Sequence, residues 1–175
     1  MTRRLWIPLL VTLLVAVLVG PSMVAAVEPR ATITRVVTIP PGSFHVTDDD
    51  TSWDNAGFEL SVKGPSTQGW FTAPLFFEAE DVTIKQMTLY AYDNGAGSVC
   101  LAMYRVTPST ADEEQMGQAC SSGATTGIRT FNATWDRRSI RGAFGPYLWL
   151  SLPGVYTSGY GFYGVKITYT YEAGV

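Results

Sequence analysis

The sequence predicts an all-β protein, a two-sheet antiparallel β-sandwich of jelly-roll-like form that follows an N-terminal signal peptide. Three observations lead there. Beyond the first thirty residues, apolar and polar side chains alternate with period 2, and no stretch sustains the 3.6-residue period of a helix. The alternating runs are short and are separated by Gly, Pro, Asn, Asp and Ser. The runs are also rich in Val, Thr, Tyr and Phe, whose branched or aromatic side chains pack well on a pleated surface.

The elements follow in chain order. Arg3 and Arg4 precede the uncharged run LWIPLLVTLLVAVLV (5–19), which is broken at Gly20-Pro21 and followed by small residues ending at Ala26. That order of charged, apolar and small segments is a secretory signal peptide, 1–26. The run is shorter than the roughly 20 apolar residues of a membrane span, which favours cleavage over anchoring. Residues 27–35 read as an extended lead-in and 36–175 as a single sandwich domain. Strands are expected near 33–39, 58–63, 69–77, 85–93, 98–107, 115–121, 128–134, 147–152 and 162–171. In 58–63, Phe58, Leu60 and Val62 share one face. In 147–152 three leucines alternate with Tyr147, Trp149 and Ser151. In 162–171, Tyr163, Val165, Ile167 and Tyr169 are expected inward, with Lys166, Thr168 and Thr170 outward. The Asn-Gly of DNGAG (93–97) predicts a tight turn joining 85–93 to 98–107 as a hairpin.

Two cysteines complete the framework. Cys100 and Cys120 are symmetric about residue 110, within the turn-forming segment TPSTADEE (107–114). Pairing of 98–107 with 115–121 through that loop sets them opposite each other, and in an exported chain they are expected to form a disulfide. The spacing is not Cys-x-x-Cys, so the bond reads as structural.

The segments VTIKQMTLYAYDN (82–94), VCLAMYRV (99–106) and FYGVKITY (162–169) resemble a loose group of secreted bacterial β-sandwich proteins of jelly-roll-like form, without an assigned activity. The resemblance spans most of the chain after the leader and implies fold and export; it adds no chemistry. Relatives in that group tend to have polar residues at the positions of Cys100 and Cys120. This implies a disulfide on the outer face of its sheet.

Charge and motif content narrow the function classes. Arg3 and Arg4 lie in the leader, so ten of the twelve bases remain after it against all fifteen acids, a formal charge of −5. Such a domain lacks the basic footprint of a nucleic-acid binder, and after signal cleavage no membrane partner is expected. The one basic patch, DRRSIR (136–141), reads as a solvated loop. The chain has one histidine, His45, and no Gly-x-Ser-x-Gly elbow. Catalysis by an activated nucleophile therefore lacks its base, and zinc lacks a ligand set. No catalytic residue is assigned. A glycoside hydrolase stays as a distant alternative because any two of the carboxylates can meet across a cleft.

HVTDDDTSWDN (45–55) gathers the histidine, four acids and a tryptophan in eleven positions. Calcium is the cation that suits clustered oxygen ligands, and Asp48, Asp50, Asp54 and Asn55 are its candidate set. Both EF-hand registers fail. Counting from Asp48 puts Trp53 at the sixth position, where glycine is needed, and counting from Asp50 puts Ser61 where a bidentate glutamate is needed. A solvated connection with Asp and Asn making local turns is the favoured reading, and no cofactor is expected. The other candidates are aromatic: Trp53, Trp70, Trp149 and Tyr160 fall at strand ends or on faces that alternation makes wet. The expectation is thus an exported, non-catalytic β-sandwich, secreted or in the cell envelope, with a binding or structural role at the cell surface. A carbohydrate-binding module is the alternative, and the partner is a polysaccharide or a cell-surface protein.

Overall fold

In a computed structural model, residues 30–63, 68–154 and 159–173 are described; the expected signal peptide lies outside them. Thirteen strands occur among the described residues, with one 3₁₀ turn at Pro41–Ser43. They are β1 (Thr32–Ile39), β2 (His45–Val46), β3 (Trp53–Asn55), β4 (Leu60–Val62), β5 (Gln68–Pro74), β6 (Val82–Asp93) and β7 (Cys100–Thr107). The remainder are β8 (Asp112–Cys120), β9 (Ile128–Asn132), β10 (Thr134–Trp135), β11 (Ser139–Ile140), β12 (Gly145–Pro153) and β13 (Tyr160–Glu172).

The strands form two antiparallel sheets, as the alternation predicts. One has seven strands in the order β11-β6-β13-β4-β3, with β1 also on β13 and β9 also on β6. The other has six, in the order β10-β8-β7-β12-β5-β2. Residues 32–35, expected within the lead-in, already pair in β1 against β13, from Thr32↔Glu172 to Ile39↔Val165.

The core lies between the inner faces. Leu148, Leu150 and Leu152 of β12 are fully buried, and so are Leu101 and Met103 of the adjacent β7. Burying each leucine contributes about 1.5–3 kcal/mol relative to leaving it in water. The 3₁₀ turn delivers Phe44 into this core, edge-on to Phe162 with ring centroids 4.7 Å apart.

Two bulges shift the phase of the long central strands. In β13 the register slips between Phe162 and Gly164, and Gly164 takes φ 129°, a conformation that favours glycine. Phe162 therefore points inward with Val165, Ile167 and Tyr169, and Tyr163 does not take the core position expected of it. A second slip, opposite Thr168/Tyr169, leaves Lys85 unpaired in β6. The buried set changes there from Val82 and Ile84 to Met87, Leu89 and Ala91. Thr170, expected outward, is also buried. Near the start of the domain, Phe58 lies outside β4 and is exposed, so the expected strand 58–63 shortens to Leu60–Val62.

The expected hairpin of 85–93 with 98–107 does not form. β6 belongs to the seven-stranded sheet and β7 to the six-stranded sheet, so DNGAG carries the chain from one sheet to the other. Two of its hydrogen bonds run to distant segments: Asn94 N–H donates to Gly159 O (2.8 Å), and Gly97 N–H donates to the Tyr160 hydroxyl (2.5 Å). Gly95 and Gly97 leave room for that tyrosine, since a Cβ on Gly95 would lie 2.1 Å from its oxygen.

β7 and β8 do form the expected hairpin. Cys100 is directly opposite Cys120, and the two are disulfide-bonded. Cys100 is half-buried and Cys120 exposed, while their neighbours Leu101 and Ala119 are buried. The bond therefore lies on the outer face.

Candidate functional site

The outer face of the six-stranded sheet carries two tryptophans, Trp70 and Trp149, and two tyrosines, Tyr104 and Tyr147. Strand register arranges its side chains in three rows. The first runs Trp70–Ser151–Cys100–Cys120 across β5, β12, β7 and β8. The second runs His45–Thr72–Trp149–Ala102–Gln118–Thr134 from β2 to β10. The third is Pro74–Tyr147–Tyr104–Gln115. Their neighbours along each strand, such as Phe71, Ala73, Leu148 and Leu150, point into the core.

Trp70 and Trp149 meet diagonally across β5 and β12, with ring centroids 5.7 Å apart and planes tilted by 55°. Trp70 remains 36% exposed, and Trp149 is half-buried over Ala102. Beside them Tyr104 and Tyr147 face each other directly, stacked at 5.5 Å with planes 17° apart. The Tyr104 hydroxyl donates to Gln115 Oε1 at 3.0 Å. Burial first, and then the nearby Glu113 carboxylate, raise the Tyr104 pKa, so the phenol stays a neutral donor well into the alkaline range. The Gln68 amide donates to the Ser151 hydroxyl.

The three rows contain no Asp, Glu, Lys or Arg. Flat apolar ring faces stand beside amide and hydroxyl groups on a rigid sheet. The chemistry of such a surface suits an uncharged ligand with both apolar and hydrogen-bonding faces.

Of the four aromatics expected to be wet, the structure brings together only Trp70 and Trp149. Trp53 is 39% exposed but sits on β3, at the edge of the other sheet, where its ring packs edge-on against the core residue Phe71 at 6.1 Å. Tyr160 is a correction: it is only 7% exposed, and its hydroxyl is used by Gly97. Tyr104 and Tyr147 were not expected at the site. The alternation of Tyr147 with the leucines of β12 carried the signal for its outward direction, but Tyr104 needed the β7–β12 register.

The acidic segment does not assemble the calcium set. Asp48 Oδ1 accepts from Asp50 N–H (3.0 Å), closing a local turn. Asp54 is in β3 and pairs with Lys63 Nζ at 2.6 Å. Asn55 is engaged on both sides, donating to Pro41 O (3.1 Å) and accepting from Gly57 N–H (3.0 Å). Each of these three side chains serves the backbone or a neighbouring cation. Among the described residues no group of three or more His, Cys, Asp or Glu is placed to hold a metal.

No protein-family model matches the sequence, and no curated protein matches it significantly. Solved structures similar to this one include the CBM36-1 domain of a multidomain xylanase from the hindgut metagenome of Trinervitermes trinervoides. Its identity is 14% and its TM-score 0.40, covering 82% of this chain and all of that one. Another is the C-terminal CBM6 of a marine laminarinase from Zobellia galactanivorans, at 13% identity and TM-score 0.43, covering 77% of this chain and 99% of that one. A third is the K3 cleaved adhesin domain of Lys-gingipain from Porphyromonas gingivalis, at 14% identity and TM-score 0.44, covering 79% and 99%.

Proposed function

We propose that this chain is an exported, non-catalytic binding domain that holds a neutral polysaccharide on the outer face of its six-stranded sheet. The observation that carries the reading is the Trp70–Trp149 pair, set beside the Tyr104–Tyr147 stack in rows of side chains that contain hydroxyls and amides but no Asp, Glu, Lys or Arg. A pyranose ring has apolar C–H faces and an equatorial rim of hydroxyls. The indole and phenol rings suit the first, and the half-buried Gln115, Gln118 and Thr72 on the same face offer hydrogen-bonding groups for the second. Export rests on the leader at 1–26 and accords with the Cys100–Cys120 disulfide, a bond that persists in oxidising compartments.

The test is affinity electrophoresis in gels containing neutral polysaccharides, followed by tryptophan-fluorescence titration with the matching oligosaccharide. Trp70→Ala and Trp149→Ala should each weaken binding by about tenfold, equivalent to about 1.4 kcal/mol, while Trp53→Ala leaves it unchanged. Absence of retardation by every neutral polysaccharide tried, with a folded protein, overturns the reading and leaves a protein partner for the same face.

A further inference from the structure

The segment 136–144, which reads in sequence as a solvated basic loop, forms one wall of a cleft. The cleft has a volume of about 430 Å³ and is lined by Arg105, Arg137, Arg138, Ser139, Arg141 and Phe144. Its residues are separate from those of the aromatic face, and the inference does not depend on that reading.

The four arginines are not equivalent. Arg105 is fully engaged: Nε and Nη2 donate to Glu114 Oε2 at 3.0 and 2.6 Å, and Nη1 donates to Ser139 O at 2.9 Å. Its guanidinium also lies 4.2 Å from the centre of the Phe144 ring. Arg137 pairs with the other oxygen of Glu114. One carboxylate thus serves two guanidinium groups. Arg138 donates to Lys85 O at 3.1 Å, and among the described residues neither Arg138 nor Arg141 has an ion-pair partner. Asp81 accepts from Gly142 N–H at 3.2 Å and Glu80 packs beside Gly142, so these two acids face the turn after Arg141 without pairing to it.

The backbone that presents these arginines is fixed. Asp136 and Arg137 N–H both donate to Met116 O, at 2.9 and 3.0 Å, and Arg138 O accepts from Ile84 N–H at 2.8 Å. Ser139 and Ile140 pair with β6, Ile140 is buried, and Phe144 N–H closes the following turn on Arg141 O. A solvated loop needs none of these anchors. They hold four guanidinium groups around one cleft in a domain whose overall charge is negative, and Glu114 compensates only Arg105 and Arg137, which leaves the charge of Arg138 and Arg141 to attract an anion.

We propose that this cleft is an oxyanion site. Arg138 and Arg141 grip a sulfate, phosphate or carboxylate group, Arg137 supplies a further donor, and Arg105 with Glu114 is the scaffold that positions the wall. Planar guanidinium forks match the paired oxygens of such groups, which a point-charge lysine does not. The ligand is either a free oxyanion or the same group carried on an acidic sugar.

The experiment titrates the whole chain, with nitrogen-labelled arginine side chains observed by NMR, at constant ionic strength so that general screening does not change. Its three arms are sodium sulfate, a sulfated oligosaccharide and the unsulfated counterpart. Saturable shifts at Arg138 and Arg141 with sulfate are expected, and none there with the unsulfated sugar. The double variant Arg138→Gln/Arg141→Gln, whose side chains are exposed, should raise the Kd about tenfold or more without changing the melting temperature. Tighter binding of the sulfated sugar than of sulfate identifies a carried group as the ligand; equal affinity identifies the free anion. Lack of saturable shifts with both charged probes overturns the proposal, and so does an unchanged Kd in the folded double variant.

Discussion

The hydroxyl of Ser121 donates to the Asp93 carboxylate at 2.5 Å while it accepts from the N–H of Val99 at 2.7 Å. Asp93 ends β6 in one sheet and Ser121 follows β8 in the other, so this bond joins the two layers at the buried crossover. Both side chains are about 2% exposed. Ser121→Ala strips the carboxylate of a donor and leaves the Val99 amide without its acceptor, and should cost about 1–3 kcal/mol. Urea unfolding measures this, and a loss below about 0.5 kcal/mol would show that water replaces the hydroxyl without penalty.

Removal of the Cys100–Cys120 bond should weaken the fold without abolishing it. The bond closes a 20-residue separation on the outer face and fills no core space. The chain-entropy model gives a loss of about 3 kcal/mol for a loop of this size. Cys100→Ser/Cys120→Ser should therefore retain the sheet signature in circular dichroism and melt at a lower temperature. Non-reducing peptide mapping of the parent should recover both cysteines in one linked fragment.

Calcium should leave the melting temperature unchanged. Asp48, Asp54 and Asn55 are committed to a turn, to Lys63 and to the chain at Pro41 and Gly57. Asp50→Asn should shift stability by no more than about 0.5 kcal/mol. Thermal melts with calcium and with chelator provide the comparison. A rise of several degrees that Asp50→Ala removes would contradict this expectation.

Glu78 should titrate below the ordinary carboxylate range. The hydrogen bond from Arg35 Nε (3.0 Å) comes first among the causes, followed by that from the Tyr171 hydroxyl (3.0 Å). A carboxylate whose folded pKa is depressed stabilises the protein above its unfolded pKa, and that contribution fades as pH falls through the folded value. Carboxyl NMR titration should place the Glu78 midpoint low and show it rising in Arg35→Ala. An unmoved midpoint would mean that solvent screens this exposed trio.

The sheets were legible where the chain is regular and illegible where it slips. The strict alternation of Leu148, Leu150 and Leu152 marks the core face of β12, and the spacing of Cys100 and Cys120 locates the β7–β8 hairpin. In β13 a single bulge exchanges Tyr163 for Phe162 at the core, because period-2 reasoning carries no information about where one residue is inserted. DNGAG announces a change of chain direction, yet Asn-Gly chemistry is local and does not specify which sheet the chain enters next. The site shows the same division. Trp149 was predicted outward from its own strand, but its meeting with Trp70 depends on the pairing of β5 with β12, which no local pattern encodes.

The pairing of β1 with β13 has a consequence for how the chain is made. β13 is central in its sheet, hydrogen-bonded to β6 on one side and to β1 and β4 on the other. A nascent chain that ends before Tyr160 has β1 and β6 but nothing to join them, so the seven-stranded sheet is completed only after the last strand is synthesised. Contacts between residues this far apart in sequence form slowly, because loop-closure entropy is lost before they can reward it. Premature closure of the seven-stranded sheet is thereby forestalled until Tyr160–Glu172 is available, and the fold acts as its own timer.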